Sequence, residues 1–117
     1  MILGLDPGNG RTGYGVVRQT GDEVEFMECG CISTNPKHTR EDRLMDLHRQ
    51  LSALFERVRP EVAAVEELFF SRNVTTAMVV GEARGVILLA AAQNRVTVTS
   101  YNPMTVKQAV AGAGKAG

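Results

Sequence analysis

The sequence predicts a mixed α/β domain, in which a three-strand meander continues into two parallel strands through helical crossovers. Three observations predict it. Short β-rich runs punctuated by turn residues fill the first third of the chain. Long stretches with helical apolar spacing then alternate with short apolar runs. Proline, glycine and asparagine fall at the joints.

Met1 to Leu5 is a short apolar run broken by Asp6, Pro7 and Gly8, so it reads as a buried strand with an acid at its exit. Thr12 to Arg18 and Glu23 to Thr34 read as the next two strands, joined by a turn at Thr20, Gly21 and Asp22. After a polar stretch around Pro36, Thr39 is a candidate N-cap with Glu41 and Asp42 in the first turn behind it. Leu44, Leu47, Leu51, Leu54 and Val58 recur at spacings of three and four, which predicts one apolar helical stripe stopping before Pro60. Val62 to Val65 is a second buried strand and, like the first, ends in a carboxylate, Glu66. Asn73 to Gln93 reads as a long helix carrying small residues (Ala77, Gly81, Ala83, Gly85) that allow close approach of another backbone. Thr97 to Tyr101 is a β-branched strand, and Asn102 with Pro103 caps a helix to about Ala111. Right-handed crossovers place the strand before Glu66 beside the strand before Asp6.

With 117 residues, 44% of them hydrophobic, the chain suits one domain with one ordinary core. Its 13 basic and 13 acidic residues give no net charge, so any contact with nucleic acid has to be local. The start lacks a basic n-region, and the longest apolar run, Val86 to Ala92, is far short of the roughly 20 residues of a membrane span; the chain is read as soluble and cytoplasmic. Cys29 and Cys31, the only cysteines, sit two apart on a strand and share a face. They read as a core or half-buried thiol pair, not as a disulfide or zinc half-site.

If the two acid-terminated strands are parallel neighbours, they lie roughly 4.8 Å apart and both carboxylates leave at the edge where open α/β sheets bind ligands. Two such anions do not both stay ionised cheaply in a crevice without a cation. Hard oxygen donors suit Mg²⁺ or Mn²⁺, and a pair of such ions roughly 3.5 to 4 Å apart holds both the attacking and the leaving oxygen of a phosphoryl displacement. Each acid alone has an ordinary reading: Asp before Pro-Gly is a common turn residue, and Glu66 with Glu67 suits a solvated strand end. Spacing alone leaves both readings open.

The segments ILGLDPGNGRTGYGVV (Ile2 to Val17), VAAVEELFF (62 to 70), RNVTTAMVVGEARGVILLAA (72 to 91) and YNPMTVKQAVAGAGKAG (101 to 117) resemble the RuvC family of Holliday-junction resolvases in order, spacing and wording. The resemblance implies an RNase H-like fold, with a mixed five-stranded sheet flanked by helices, over residues 1–117 as a single nuclease domain. It implies a metal-dependent endonuclease acting on four-way junction DNA as a homodimer in the cytoplasm, with a branch-migration motor complex as a further partner. It makes Asp6 and Glu66 catalytic metal ligands and Phe69 an aromatic that wedges or stacks at the junction centre. Phe69 also suits a core position, and Phe70 is placed to exchange roles with it. Lys107 falls on a lysine near the scissile phosphate, and Arg72, Asn73 and Lys115 are phosphate-contact candidates.

Two departures from the family stand out. Its active site resembles a cluster of four acids, two of them from a C-terminal helix, and after Gly114 this chain has no Asp or Glu. The third and fourth ligands thus have no candidate here. Glu82 stands where the family more often has an amide. Two other classes compete with the nuclease. An actin-like or sugar-kinase-like nucleotide-binding domain also opens with an Asp-x-Gly turn, but it needs a duplicated domain. A non-catalytic junction-binding module would bind DNA without cutting it.

Overall fold

β1 (Ile2–Pro7), β2 (Arg11–Thr20) and β3 (Glu23–Ser33) form the expected meander. Gly21, at φ 63°, and Asp22 turn the chain between β2 and β3. α1 (Arg40–Val58), β4 (Val62–Glu66), α2 (Val74–Gln93) and β5 (Thr97–Tyr101) follow. The computed structural model describes residues 1–8, 10–66 and 74–101, Tyr101 by its backbone alone; the helix expected over 102–111 lies outside them. The five strands make one sheet in the order β3-β2-β1-β4-β5, antiparallel across the meander and parallel from β1 to β4 to β5. This is the mixed RNase H-like sheet that the sequence predicts.

α1 begins where capping chemistry dictates. The Thr39 hydroxyl accepts from the Asp42 N–H at 3.3 Å, and Glu41 and Asp42 complement the positive end of the helix dipole. Accepting that hydroxyl's hydrogen bond holds the Glu41 carboxyl below its ordinary pKa. The helix ends at Arg59, whose left-handed backbone (φ 50°) lets its N–H reach the Phe55 carbonyl before Pro60 forbids continuation. Leu47, Leu51, Leu54, Phe55 and Val58 are buried against Leu3, Leu5, Val16, Ile32, Ala63 and Val65 of the sheet. Fully burying Leu51 or Phe55 contributes about 2 to 3 kcal/mol each.

α2 lies beside α1 on the same face and sends Ala83, Ile87, Ala90 and Ala91 into the core. It is apolar on every side, and by length and composition it meets the requirement for a membrane span, with a mean hydropathy of 1.5. The run Val86 to Ala92 does not reveal this, because Glu82 and Arg84 interrupt the apolar sequence. Among its small residues, Ala83 is used in the core and Gly85 stands open to solvent.

The cysteines correct the sequence reading. Ile32 enters the core, so the pleat turns Cys31 and Cys29 to the face away from the helices. There β3 is the sheet edge and its β2 partners are Gly13 and Gly15, which have no side chains to cover the thiols. Both are exposed and free.

Candidate active site

Pairing between β1 and β4 runs in register from Ile2↔Val62 to Leu5↔Val65. The next position on each strand is an acid: Asp6 on β1 and Glu66 on β4. In-register residues of parallel strands share a face. Leu5 and Val65 turn to the helices, so Asp6 and Glu66 turn together to the opposite face. Sequence reading sets Asp6 just beyond its strand, whereas the structure keeps it within β1. The antiparallel ladder to β2 continues through Asp6↔Gly13 to Pro7↔Thr12, and this fixes the Asp6 backbone more firmly than a turn would. Glu66 ends β4 and is paired to Tyr101 of β5.

On the β2 side and in the row beneath, the neighbours nearest the acids are small. Their row across the sheet runs Cys31, Gly13, Asp6, Glu66, Tyr101, and the row beneath it runs Cys29, Gly15, Gly4, Ala64, Thr99. Glycine and alanine beside the acids keep side-chain bulk away from the face on which the carboxylates stand. Glu66 is only 8% exposed and Asp6 is half-buried. A carboxylate taken this far from water demands charge compensation, and two on neighbouring strands demand more. As hard oxygen donors on one face, they fit a divalent cation of the Mg²⁺ class. Among the described residues, no third His, Cys, Asp or Glu joins them in a cluster.

The turn after Asp6 is held from the helix side. The Gly8 N–H donates to the Arg11 carbonyl at 2.8 Å, and the Thr34 N–H donates to the Gly10 carbonyl at 3.3 Å. Gly10 sits at φ +82°, and the Arg43 guanidinium occupies the space that a Cβ there would need. Arg43 Nε in turn donates to Thr34 Oγ1 at 3.0 Å. A cleft of about 230 Å³ opens beside this turn, between it, the start of α1 and the second and third turns of α2.

Of the residues singled out from sequence, the structure brings Asp6 and Glu66 together. Phe69, Phe70, Arg72, Asn73, Lys107 and Lys115 lie outside the described residues. Sequence reading missed Arg43, since a lone arginine on a helix reads as solvated. The available signal was its place: Arg40 and Arg43 sit at the start of a helix, where cations oppose the dipole.

Comparison with known proteins agrees with this fold. The sequence profile described as crossover junction endodeoxyribonuclease RuvC matches residues 2–117. The crossover junction endodeoxyribonuclease RuvC of Pelotomaculum thermopropionicum is 50% identical over all of this chain, which spans 71% of that protein. The structure of Thermus thermophilus RuvC in complex with a Holliday junction substrate has a TM-score of 0.79 at 36% identity, over 92% of this chain and 67% of that one. A second Thermus thermophilus RuvC structure gives 0.78 at 38% identity, over 99% and 72%. With a profile match over nearly every residue and half of all positions identical to a curated member, this chain belongs to the RuvC family of crossover junction endodeoxyribonucleases.

Proposed function

We propose that the chain forms the Asp6 and Glu66 part of a structure-selective endonuclease that resolves Holliday junctions in DNA recombination and repair, by divalent-metal-dependent hydrolysis of phosphodiesters. The observation that carries this reading is the register of β1 against β4, which sets two carboxylates side by side on one face at the carboxyl edge of a parallel pair. The relatives matched along the chain are crossover junction endodeoxyribonucleases, one of them solved with a Holliday junction substrate, and this favours the nuclease over the nucleotide-binding domain and the non-cutting module.

In this reading, Asp6 and Glu66 hold Mg²⁺ or Mn²⁺, which when bound supplies positive charge to the phosphate oxygens. The protein's part is positional. The β2 ladder fixes the Asp6 backbone, burial of Glu66 limits its rotamers, and the glycine-lined row leaves room for a DNA strand to approach. Phe69, with Phe70 as its alternate, is assigned to stacking at the junction centre, and Arg72, Asn73, Lys107 and Lys115 to backbone phosphates. The protein acts as a homodimer through the outward stripe of α2. Val74, Met78, Gly85, Leu88, Leu89 and Ala92 recur there at helical spacing, and the four large apolar members are exposed. An isologous two-fold contact would use this stripe twice.

The 117 residues span 71% of the Pelotomaculum thermopropionicum relative, and assayed alone they are expected to bind divalent metal weakly and cut poorly. Mobility-shift titration should show preference for a synthetic four-way junction over linear duplex. Joined to the C-terminal segment of the Pelotomaculum thermopropionicum relative, the chain should cut the junction with Mg²⁺ or Mn²⁺. Asp6→Asn or Glu66→Gln should then reduce cutting by about 100-fold or more, the scale on which losing one charge-stabilising group acts. Equal affinity for duplex and junction, or cutting that survives both substitutions, would refute the proposal.

A further inference from the structure

We infer that the cleft beside the Asp6 turn is a binding site for a backbone phosphate of the substrate DNA, with Arg43 and Arg11 as its cationic groups. This rests on the nuclease reading and adds to it a contact on the helix side of the acid-bearing edge.

The cleft lies where the β1–β2 turn, the end of β3, the start of α1 and the second and third turns of α2 meet. β1, β3 and β4 all run toward this edge, so the cleft opens at the same end of the sheet as Asp6 and Glu66, on the opposite side of the strands. Its floor is apolar, made by Ile32, Leu44, Leu47, Val79 and Ala83, and its rim carries Arg11, His38, Arg40, Arg43 and Glu82. Arg40 Nε donates to Glu82 Oε1 at 2.6 Å, so those two charges cancel across the rim. His38 shares a contact with Asn35. Arg11 and Arg43 remain. Neither forms an ion pair with a carboxylate among the described residues.

Arg43 makes the stronger case. It is half-buried, and its guanidinium is fixed by the Thr34 hydroxyl and by contact with Gly10. Removing a guanidinium from water and immobilising it near the positive end of a helix dipole is unfavourable unless an anion approaches. A planar fork with free N–H groups suits a phosphate, which accepts two parallel hydrogen bonds from it. Arg11 lines the mouth from the start of β2, where the pleat turns its exposed side chain toward the acid-bearing face, and adds charge without a fixed geometry. A chain with no net charge needs such a local cationic point to hold a polyanion at all.

The test is junction binding by fluorescence anisotropy in EDTA, where cutting does not intervene, over a range of KCl concentrations. Arg11→Gln, at an exposed position, is expected to weaken binding several-fold and to make the slope of log affinity against log salt shallower by about 1. Arg43→Lys keeps the charge and loses the fork, and is expected to weaken binding with the wild-type slope. Scanning the junction with single methylphosphonates should find one position near the cut whose neutralisation weakens the wild-type complex but adds nothing to Arg11→Gln. Wild-type affinity and slope in Arg11→Gln, or no such position, would overturn the inference. A wild-type protein that binds junction and duplex alike would instead overturn the nuclease reading beneath it.

Discussion

α1 and α2 cover one face of the same sheet side by side, but they solve different burial problems. α1 is amphipathic and capped: one stripe is buried, mostly polar and charged residues occupy the rest, and a hydrogen bond caps each end. α2 buries only Ala83, Ile87, Ala90 and Ala91, while Val74, Met78, Leu88 and Leu89 remain exposed on its other side. A helix that needs only its own sheet has no use for a second apolar stripe. α1 thus turns its apolar stripe into the monomer core, whereas α2 carries a second, exposed stripe, the surface that the proposed homodimer would bury.

The sharpest way to break the comparison is to damage the α1 core. Leu51 is fully buried beneath the sheet. Leu51→Ala should cost about 3 to 4 kcal/mol from lost transfer energy and the cavity left behind, read from urea unfolding with the DNA omitted. A cost below about 1 kcal/mol would mean that α1 does not anchor the domain.

On α2, Leu89 is 53% exposed. Leu89→Asp should leave the monomer's fold intact by circular dichroism and weaken self-association by about 100-fold, as for a central interface residue. Sedimentation at graded concentrations would show it. A dimer that survives Leu89→Asp and Met78→Glu together would separate α2 from the interface and end the distinction drawn above. At the α1 start, Thr39→Ala should cost about 1 kcal/mol by removing the cap from the Asp42 N–H, measured as a fall in thermal stability.

The same contrast shows how far the sequence could be read. α1 was legible to within a residue, because its stripe, cap and terminating proline all agree. Asp6 and Glu66 were legible as a pair, because two apolar runs each end in an acid and one crossover rule makes the strands neighbours. Exposure of Cys29 and Cys31 was not, since it depends on which face of β3 the helices cover and on β3 being the edge, both tertiary facts. The Arg43 contact with Gly10 escaped for the same reason. It joins two segments more than thirty residues apart, and neither carries a periodicity that points to the other.

The smallest effect tests how α1 is moored at its far end. Arg57 donates to both Glu28 oxygens, at 2.5 and 3.1 Å, and the Tyr14 hydroxyl donates to the same carboxylate at 3.3 Å. Hydrogen bonding to Arg57, above all, holds the Glu28 carboxyl below its ordinary value. Burial, with the nearby Glu28 charge second, pushes the Tyr14 phenol up. The two shifts act at opposite ends of the pH scale. The ionised Glu28 adds stability above the unfolded carboxyl's value of 4.5, and that stability is lost as pH falls through the lower folded value. The protonated Tyr14 adds stability below 10.0, which is lost as pH rises through its folded value. Both partners of the ion pair are part-exposed, so Glu28→Gln should cost only about 0.5 kcal/mol at pH 7. The cost should shrink as pH falls below 4.5 and vanish once pH has passed through the lower folded value, where the wild-type carboxyl is also neutral. Unfolding free energies measured from pH 3 to 7 on both proteins would check this; a gap that stays constant across that range would show that the carboxylate's charge does not hold α1 to the sheet.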